Sequence, residues 1–187
     1  MTKQELRKQI ADEVKALSSE YCQRADAAIC EAVRTSELYK NAQTIFCYIG
    51  TDREIDTKAL LNAALADGKR LALPLCVGKG IMEGRQICSL SDLVNGKFDI
   101  PAPRLECPVI EPEEFDLVIV PCSTGNEKGQ RLGYGGGFYD RYLGKTNCPK
   151  ILLCRRRLVK DDIPVEEHDL IMDFLATEDG LYDCKNA

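Results

Sequence analysis

The chain has 187 residues, of which 44% are hydrophobic and 29% are charged. This length and composition are those of an ordinary globular fold with a full apolar core, so we expect one domain over residues 1–187. The formal net charge of −5 gives no general attraction for nucleic acid or anionic lipid, and no apolar run reaches the roughly 18 residues that a membrane helix needs. The composition therefore argues against nucleic-acid and membrane partners.

The ten cysteines are the unusual feature of the composition. No two of them form a C-x-x-C pair, and with one histidine in the chain a zinc site is poorly supported. Cys47, Cys76 and Cys154 lie among aliphatic residues, where a thiol behaves as a small hydrophobe. Because the first ten residues also lack the apolar core of a secretion signal, we expect a reducing, cytoplasmic location.

The first half of the chain alternates helical and strand patterns. Thr2 and Glu5 have the spacing of a capping box, which predicts the start of a helix, and Leu6, Ile10 and Val14 follow at helical spacing. The other elements expected here are a helix from Ser18 or Ser19 to about residue 35, a buried strand at 44–49, a helix at 57–67 and a strand at 70–74.

The second half begins with an irregular segment, 75–114, in which glycines and prolines interrupt short strand-like pieces. We interpret it as long loops and one small hairpin. Regular patterns then return as strands at 117–121, 150–154 and 173–177 and a helix at 137–144. This alternation predicts a mainly parallel α/β sheet with helices on both faces.

In such a sheet, ligands bind beyond the carboxyl ends of the strands, which here places segments 50–57 and 123–143 at the site. The second segment surrounds Arg131 with glycines and ends at Asp140. Free backbone amides, a guanidinium and a carboxylate suit a metal–nucleotide complex, although a glycine cluster alone is also typical of a flexible loop. The spacing matches neither a dinucleotide-binding loop nor a Walker A loop, because Tyr139 stands where the latter needs its first glycine.

The predicted first helix carries two cations, Lys3 and Arg7, on the same stripe as its apolar residues. They either extend outward from the first turns or point inward, and in the second case they need an anionic partner such as a nucleotide phosphate.

Four further features carry weaker signals. Glu54 is either a ligand contact or an exposed turn residue, Phe98 is either a stacking surface or part of the core, and His168 is more typical of a solvated loop than of a catalytic base. The run 155–157 is three arginines, which either line an anion pocket or simply alternate between faces.

Residues 129–140 resemble the G-x-R-L-G-x-G-x-G-Y-Y-D signature of 5-formyltetrahydrofolate cyclo-ligases. The similarity extends over nearly the whole chain. The accompanying features are K-x-x-L-R at 3–7, E-I-x-T at 54–57, an aromatic before I-P-x-P at 98–103, D-L-x-x-x-P at 116–121 and H-D at 168–169.

The resemblance implies a three-layer α/β/α fold and an enzyme that uses ATP and Mg²⁺ to convert 5-formyltetrahydrofolate, including its polyglutamylated form, to 5,10-methenyltetrahydrofolate. We also expect a monomer. It implies catalytic roles for Arg131, Glu54 and Tyr139, and metal binding by Asp140 and Asp169. The implied ATP-binding residues are Lys3, Arg7, Arg131, Leu132, Gly133, Tyr134, Gly135, Gly136, Gly137, Phe138 and Tyr139. The implied folate-binding residues are Arg7, Ile49, Glu54, Phe98, Tyr134, Gly135, Gly136, Gly137 and Phe138.

Three positions depart from the family pattern: Phe138 replaces a tyrosine, Asn126 stands where a carboxylate is common, and Gly136 where a basic residue is frequent. The alternatives to a cyclo-ligase are a folate or nucleotide binder without turnover, a sugar-phosphate or coenzyme A enzyme on a related fold, and an adaptor. An adaptor role leaves the glycine-rich segment and the two helix cations unexplained.

Overall fold

A computed structural model describes residues 1–186. Its helices are α1 (Lys3–Ala16), α2 (Ser19–Arg34), α3 (Glu37–Asn41), α4 (Lys58–Ala66) and α5 (Phe138–Leu143). Its strands are β1 (Thr44–Phe46), β2 (Arg70–Gly78), β3 (Ile81–Ile87), β4 (Leu93–Asn95), β5 (Pro101–Pro103), β6 (Val109–Ile110), β7 (Leu117–Val120), β8 (Thr124–Gly125), β9 (Arg131–Leu132), β10 (Lys150–Leu153), β11 (Phe174–Thr177) and β12 (Gly180–Asp183).

The start of α1 is fixed by the predicted capping box. The Thr2 hydroxyl accepts a hydrogen bond from the Glu5 amide at 3.2 Å, and the Glu5 carboxylate accepts one from the Thr2 amide at 2.7 Å. Ser18 caps α2 in the same way, accepting from the Tyr21 amide at 3.1 Å. These side chains satisfy amides that have no partner inside their own helix.

Eight strands form the central sheet in the order β12-β11-β10-β7-β1-β2-β3-β6. The five strands from β11 to β2 are parallel, and β12, β3 and β6 pair antiparallel at the two sides. After β1 the chain runs to β2 on one side and later returns to β7 on the other. The strand order therefore reverses between β1 and β7, where a doubly wound sheet opens its ligand crevice.

Consecutive residues of each central strand point to opposite faces, which are both covered. Ile45 packs with residues of α2, α3 and α4, whereas its neighbour Phe46 packs with Tyr142 and Leu143 of α5. Leu6 and Ile10 attach α1 to Leu132 of β9. This arrangement confirms the α/β fold with helices on both faces of a mainly parallel sheet.

The interpretation of residues 75–114 as long loops was partly wrong. β2 continues to Gly78 and turns through Lys79 and Gly80 into β3, so that a long hairpin extends the sheet. The small hairpin is present as β4 and β5. The glycines suggested breaks, but Gly80 supplies the positive φ of 70° that the turn of this hairpin requires.

Other short elements were also absent from the sequence-based prediction, among them α3 and β12. The short helix α3 follows a Ser36 cap, and β12 pairs antiparallel with β11, so that 173–177 is not the last strand. Both are short elements whose stability comes from packing rather than from a periodic pattern. None of the helices within residues 1–186 has the length and sustained apolar character that crossing a bilayer requires.

Candidate active site

A cavity of about 960 Å³ opens at the carboxyl ends of β1 and β7, under the tip of the β2–β3 hairpin. All sixteen residues that the sequence assigned to ligands or metal line this one cavity. They are Lys3, Arg7, Ile49, Glu54, Phe98, Arg131, Leu132, Gly133, Tyr134, Gly135, Gly136, Gly137, Phe138, Tyr139, Asp140 and Asp169. Residues separated by up to 166 positions in the chain are therefore gathered at the edge where the fold predicts a site.

Arg131 is the most deeply placed cation of the cavity, with 9% of its surface exposed. Its Nε donates to the Pro121 carbonyl at 2.8 Å, Nη1 lies 3.6 Å from Asp140 Oδ1, and the guanidinium lies over the Tyr139 ring at 5.2 Å. These contacts hold the guanidinium in one orientation while its charge is only partly balanced. Such a group is suited to binding phosphate oxygens.

Gly133 leaves room for the Arg131 guanidinium in the orientation that these contacts give it. A Cβ atom at residue 133 would lie 2.9 Å from Arg131 Nη2, closer than real Cβ contacts. Gly135 and Gly137 have positive φ angles of 97° and 68°, which glycine adopts without strain. The G-x-G-x-G pattern thus has two roles. Gly133 leaves space for Arg131, and Gly135 and Gly137 allow the backbone to turn into α5.

Lys3 and Arg7 point inward, as one of the two sequence interpretations held. Arg7 Nε donates to the Gly133 carbonyl at 2.8 Å and so connects α1 to the glycine-rich loop. Lys3 Nζ lies 2.6 Å from Asp169 Oδ2 and 3.2 Å from Glu166 Oε2. Desolvation opposes ionisation of Asp169, but the hydrogen bonds from Lys3 and the Glu166 amide, together with the charge of Lys3, outweigh it and lower the pKa of this carboxyl.

Glu54 faces the cavity from the loop that follows β1. Its carboxylate accepts a hydrogen bond from the Thr51 amide at 2.9 Å. Burial raises the pKa of Glu54, because the ionised form loses solvation that this hydrogen bond and the more distant Arg131 only partly replace. A carboxylate with a raised pKa in a cleft is a frequent property of functional residues.

Phe98 lies at the mouth of the cavity and not in the core. The residue is 92% exposed, among the highest values for a large hydrophobic residue in the described part of the chain, and its backbone has a positive φ of 59°. A non-glycine residue is strained in this conformation, by about 1–3 kcal/mol in general. The ring is therefore available to a ligand that enters the cavity.

Several lining residues were missed by the sequence interpretation. Cys76, Lys79 and Met82 come from the β2–β3 hairpin, and Lys97 and Ile100 flank Phe98. The sequence analysis did not single these residues out, because it interpreted the segment that contains them as loops. His168 lies at the rim beside Glu166, 72% exposed, which agrees with a solvated loop histidine.

The arginine run 155–157 does not line the cavity. Arg155 pairs with Asp26, Arg156 with Glu127 and Asp179, and Arg157 lies 4.1 Å from the centre of the Tyr21 ring. The three side chains have separate structural partners, so the anion-pocket interpretation was wrong.

Asn126 also has a structural place outside the cavity lining. Its Oδ1 accepts from the amides of Lys128 and Gln130, both at 3.1 Å, and its Nδ2 donates to the Lys160 carbonyl at 3.2 Å. The side chain closes the turn between β8 and β9. The amide is needed there because a carboxylate could not donate to a carbonyl.

The chain is similar to several known proteins over most of its length. It is 28% identical over 198 aligned positions to a probable 5-formyltetrahydrofolate cyclo-ligase of Schizosaccharomyces pombe, with 97% of each chain covered. It is 30% identical to the 5-formyltetrahydrofolate cyclo-ligase of Saccharomyces cerevisiae, with 96% of each covered. Among solved structures, the 5,10-methenyltetrahydrofolate synthetase of Aquifex aeolicus has a TM-score of 0.90 at 27% identity and covers 100% of this chain and 95% of its own.

A structure of lower identity has the same fold. The 5,10-methenyltetrahydrofolate synthetase of Mycoplasma pneumoniae gives a TM-score of 0.78 at 22% identity, covering 95% of this chain and 99% of its own. A model of the 5-formyltetrahydrofolate cyclo-ligase family matches residues 1–178. Together with the glycine-rich loop around Arg131, this match shows that the chain belongs to the 5-formyltetrahydrofolate cyclo-ligase family.

Proposed function

We propose that this protein is an enzyme that uses ATP and Mg²⁺ to convert 5-formyltetrahydrofolate to 5,10-methenyltetrahydrofolate. The observation that carries the proposal is the convergence of all sixteen expected residues on one cavity. Its volume of about 960 Å³ is at the upper end of ordinary ligand sites, which run to about 1,000 Å³, and is suited to two substrates side by side.

The two substrates are assigned to different walls of the cavity. Lys3, Arg7 and Arg131 stand with the glycine-rich loop on one wall, where cations and free amides favour the triphosphate of ATP. Glu54, Ile49 and Phe98 offer a carboxylate, an aliphatic side chain and an aromatic ring, which suits a pterin and its attached benzoyl group. Lys79 and Lys97 at the hairpin side would attract the carboxylates of a polyglutamate tail.

Asp140 and Asp169 fit a magnesium ion that accompanies ATP. Both carboxyl groups line the cavity, and Asp169 directs Oδ2 to Lys3 while Oδ1 makes no hydrogen bond to residues 1–186. Magnesium takes one or two carboxylates together with phosphate oxygens and water, so these two residues are a sufficient protein contribution. When bound, the ion would neutralise charge on the transferring phosphoryl group.

The proposed reaction is a phosphoryl transfer followed by ring closure. The formyl oxygen forms a bond to the γ-phosphorus as the bond to the bridging oxygen breaks, and ADP leaves. N10 then attacks the activated formyl carbon and gives up its proton, and phosphate leaves with the former formyl oxygen. No protein nucleophile is required, so the task of the chain is positioning and charge stabilisation.

Each catalytic residue has a defined part in this scheme. Arg131, fixed by Pro121 and Asp140, would stabilise charge on the transferring group. Glu54 would orient the folate through a ring nitrogen, and Tyr139 supplies the face over which Arg131 lies.

The test is to follow the near-ultraviolet absorbance of methenyltetrahydrofolate with purified protein, 5-formyltetrahydrofolate, ATP and magnesium. We expect turnover that requires ATP and falls roughly 100- to 1,000-fold in Arg131→Met, because one preorganised donor to the transition state is lost. Asp140→Asn should raise the magnesium concentration needed for half-maximal rate.

The matched control is Arg156→Met, since Arg156 is an ion-paired arginine that does not line the cavity. Its rate should equal that of the unmodified protein. Folate binding without any ATP-dependent absorbance change would show a binder without turnover. Phosphate release that does not depend on a reduced folate would instead indicate an enzyme for another substrate.

A further inference from the structure

A buried ion pair behind the cavity joins two distant parts of the chain. Asp26 of α2 and Arg155, which follows β10, are 129 positions apart, and their contacts are Nε to Oδ1 at 2.8 Å and Nη2 to Oδ2 at 2.9 Å. Asp26 is 7% exposed and Arg155 is 4% exposed. Removing two charges from water is costly, and such a pair is retained only where its other hydrogen-bonding atoms also have partners.

The further partners of both side chains belong to one loop, residues 50–57. Arg155 Nη2 donates to the Glu54 carbonyl at 3.0 Å, and Asp26 Oδ2 accepts from the Asp56 amide at 3.0 Å. Ile55, between these two contacts, is 4% exposed. The ion pair thus holds the backbone on both sides of Ile55.

Further contacts within residues 50–57 also restrict the backbone around Ile55. The Thr57 hydroxyl donates to the Tyr48 carbonyl at 2.6 Å, and Gly50 lies so close to Ile55 that a Cβ atom would be 1.9 Å from the Ile55 carbonyl oxygen. The backbone path determines where the Glu54 side chain points. Neither Asp26 nor Arg155 lines the cavity, whereas Glu54 does.

We propose that Asp26 and Arg155 form a positioning pair that fixes Glu54 for the folate, an inference that rests on the proposed function of Glu54. The pair acts through the backbone of residues 54–56 and touches no substrate. An arginine is needed because its planar fork reaches the Asp26 carboxylate and the Glu54 carbonyl together, whereas a lysine ammonium lacks this geometry.

The decisive variant is Arg155→Lys, which keeps the charge opposite Asp26 and loses the fork. We expect kcat/KM for 5-formyltetrahydrofolate to fall about tenfold or more, because small displacements of a substrate-positioning group are costly. KM for ATP should stay the same. Amide hydrogen exchange of residues 51–57, measured by mass spectrometry, should become faster.

Two comparisons separate positioning from general stability. Arg156→Lys changes the adjacent arginine, which pairs with Glu127 and Asp179, and should alter neither the folate kinetics nor the exchange of residues 51–57. In a Glu54→Ala background, Arg155→Lys should have almost no additional effect on kcat/KM, because the side chain that it positions is gone. Asp26→Asn weakens the same ion pair by removing the charge of its other member. The same folate kinetics and amide exchange can be measured on it if Arg155→Lys does not fold.

The outcomes distinguish this inference from the proposed function. Absence of turnover in the unmodified protein would overturn the proposed function. Amide exchange of residues 51–57 would still show whether the ion pair restrains this loop. The positioning role would be overturned if amide exchange of residues 51–57 were unchanged in folded Arg155→Lys. It would also be overturned if the reduction of kcat/KM in the double variant equalled the product of the two single reductions.

Discussion

Arg131 and Glu54 are two charged residues of the cavity that meet the cost of burial in different ways. Arg131 has a carbonyl, a carboxylate and an aromatic face around its guanidinium. The Glu54 carboxylate accepts a hydrogen bond from the Thr51 amide, and burial raises its pKa. In the free protein, ionised Glu54 therefore costs stability, which is typical of functional groups whose environment is built for a ligand.

The variant Glu54→Gln should separate stability from activity. A carboxyl whose pKa is raised in the folded state stabilises the fold fully below its ordinary pKa of 4.5, and this contribution is lost as the pH rises through the folded-state value. Glutamine does not ionise and keeps an oxygen for the Thr51 amide, so the melting temperature near pH 7 should rise while turnover falls roughly 100-fold.

Thermal melts of both proteins near pH 7 and near pH 4 provide the measurement for Glu54→Gln. The difference between the proteins should shrink at the lower pH, where the native carboxyl is protonated. A lower melting temperature of the variant near pH 7 would show that the ionised carboxylate is a net stabilising group.

At the scale of elements, α1 delivers two cations to a cavity formed mainly by the sheet. It is attached through Leu6 and Ile10, which are 3% and 2% exposed and pack on Leu132 and Ile163. Because Leu132 directly follows Arg131, the same contact locates α1 relative to the glycine-rich loop. The positions of Lys3 and Arg7 in the cavity therefore depend on the stability of this apolar contact.

The variant Ile10→Ala should weaken the attachment of α1. Loss of a fully buried isoleucine side chain costs about 2–5 kcal/mol, and the expected result is a lower free energy of unfolding together with a higher KM for ATP. Chemical denaturation and steady-state kinetics measure the two effects. Lys8→Ala is the control, since Lys8 is exposed on the same helix, and an equal loss in both variants would contradict the assigned contact.

The sequence predicts elements well where local patterns repeat and poorly where partners are distant. The capping box at Thr2, the apolar run that contains β1 and the glycine-rich loop are all local signals, and they give most of the sheet and the cavity. The β2–β3 hairpin was missed because its glycines resemble breaks when the neighbouring strand is unknown. The partnership of Asp26 with Arg155 spans 129 positions and leaves no local pattern.

At the scale of the whole molecule, all ten cysteines lie within residues 1–186, and the structure of these residues shows every one of them free. Cys30, Cys47, Cys154 and Cys184 are buried, while Cys88 is exposed. Burial raises the pKa of Cys30 to about 12, so almost none of it is thiolate at neutral pH, and the thiolate is the reactive form. The thiols thus behave mainly as core and surface side chains.

A thiol-reactive dye should label Cys88 first in the folded protein and leave the four buried cysteines unreacted. All ten should react after unfolding in denaturant without a reductant. Mass spectrometry of the labelled peptides identifies the sites. Fewer than ten reactive thiols in the unfolded, unreduced protein would reveal a disulfide.

The contact between Lys3 and Asp169 joins positions 166 residues apart, and it has a consequence for how the protein is made. During synthesis α1 leaves the ribosome well before Leu132 and Asp169, the later residues on which its position depends. At about 5–20 residues per second, that delay is on the order of ten to thirty seconds. For this interval Leu6 and Ile10 of the nascent helix lack their native partners Leu132 and Ile163, and exposed apolar side chains of this kind are what chaperones bind.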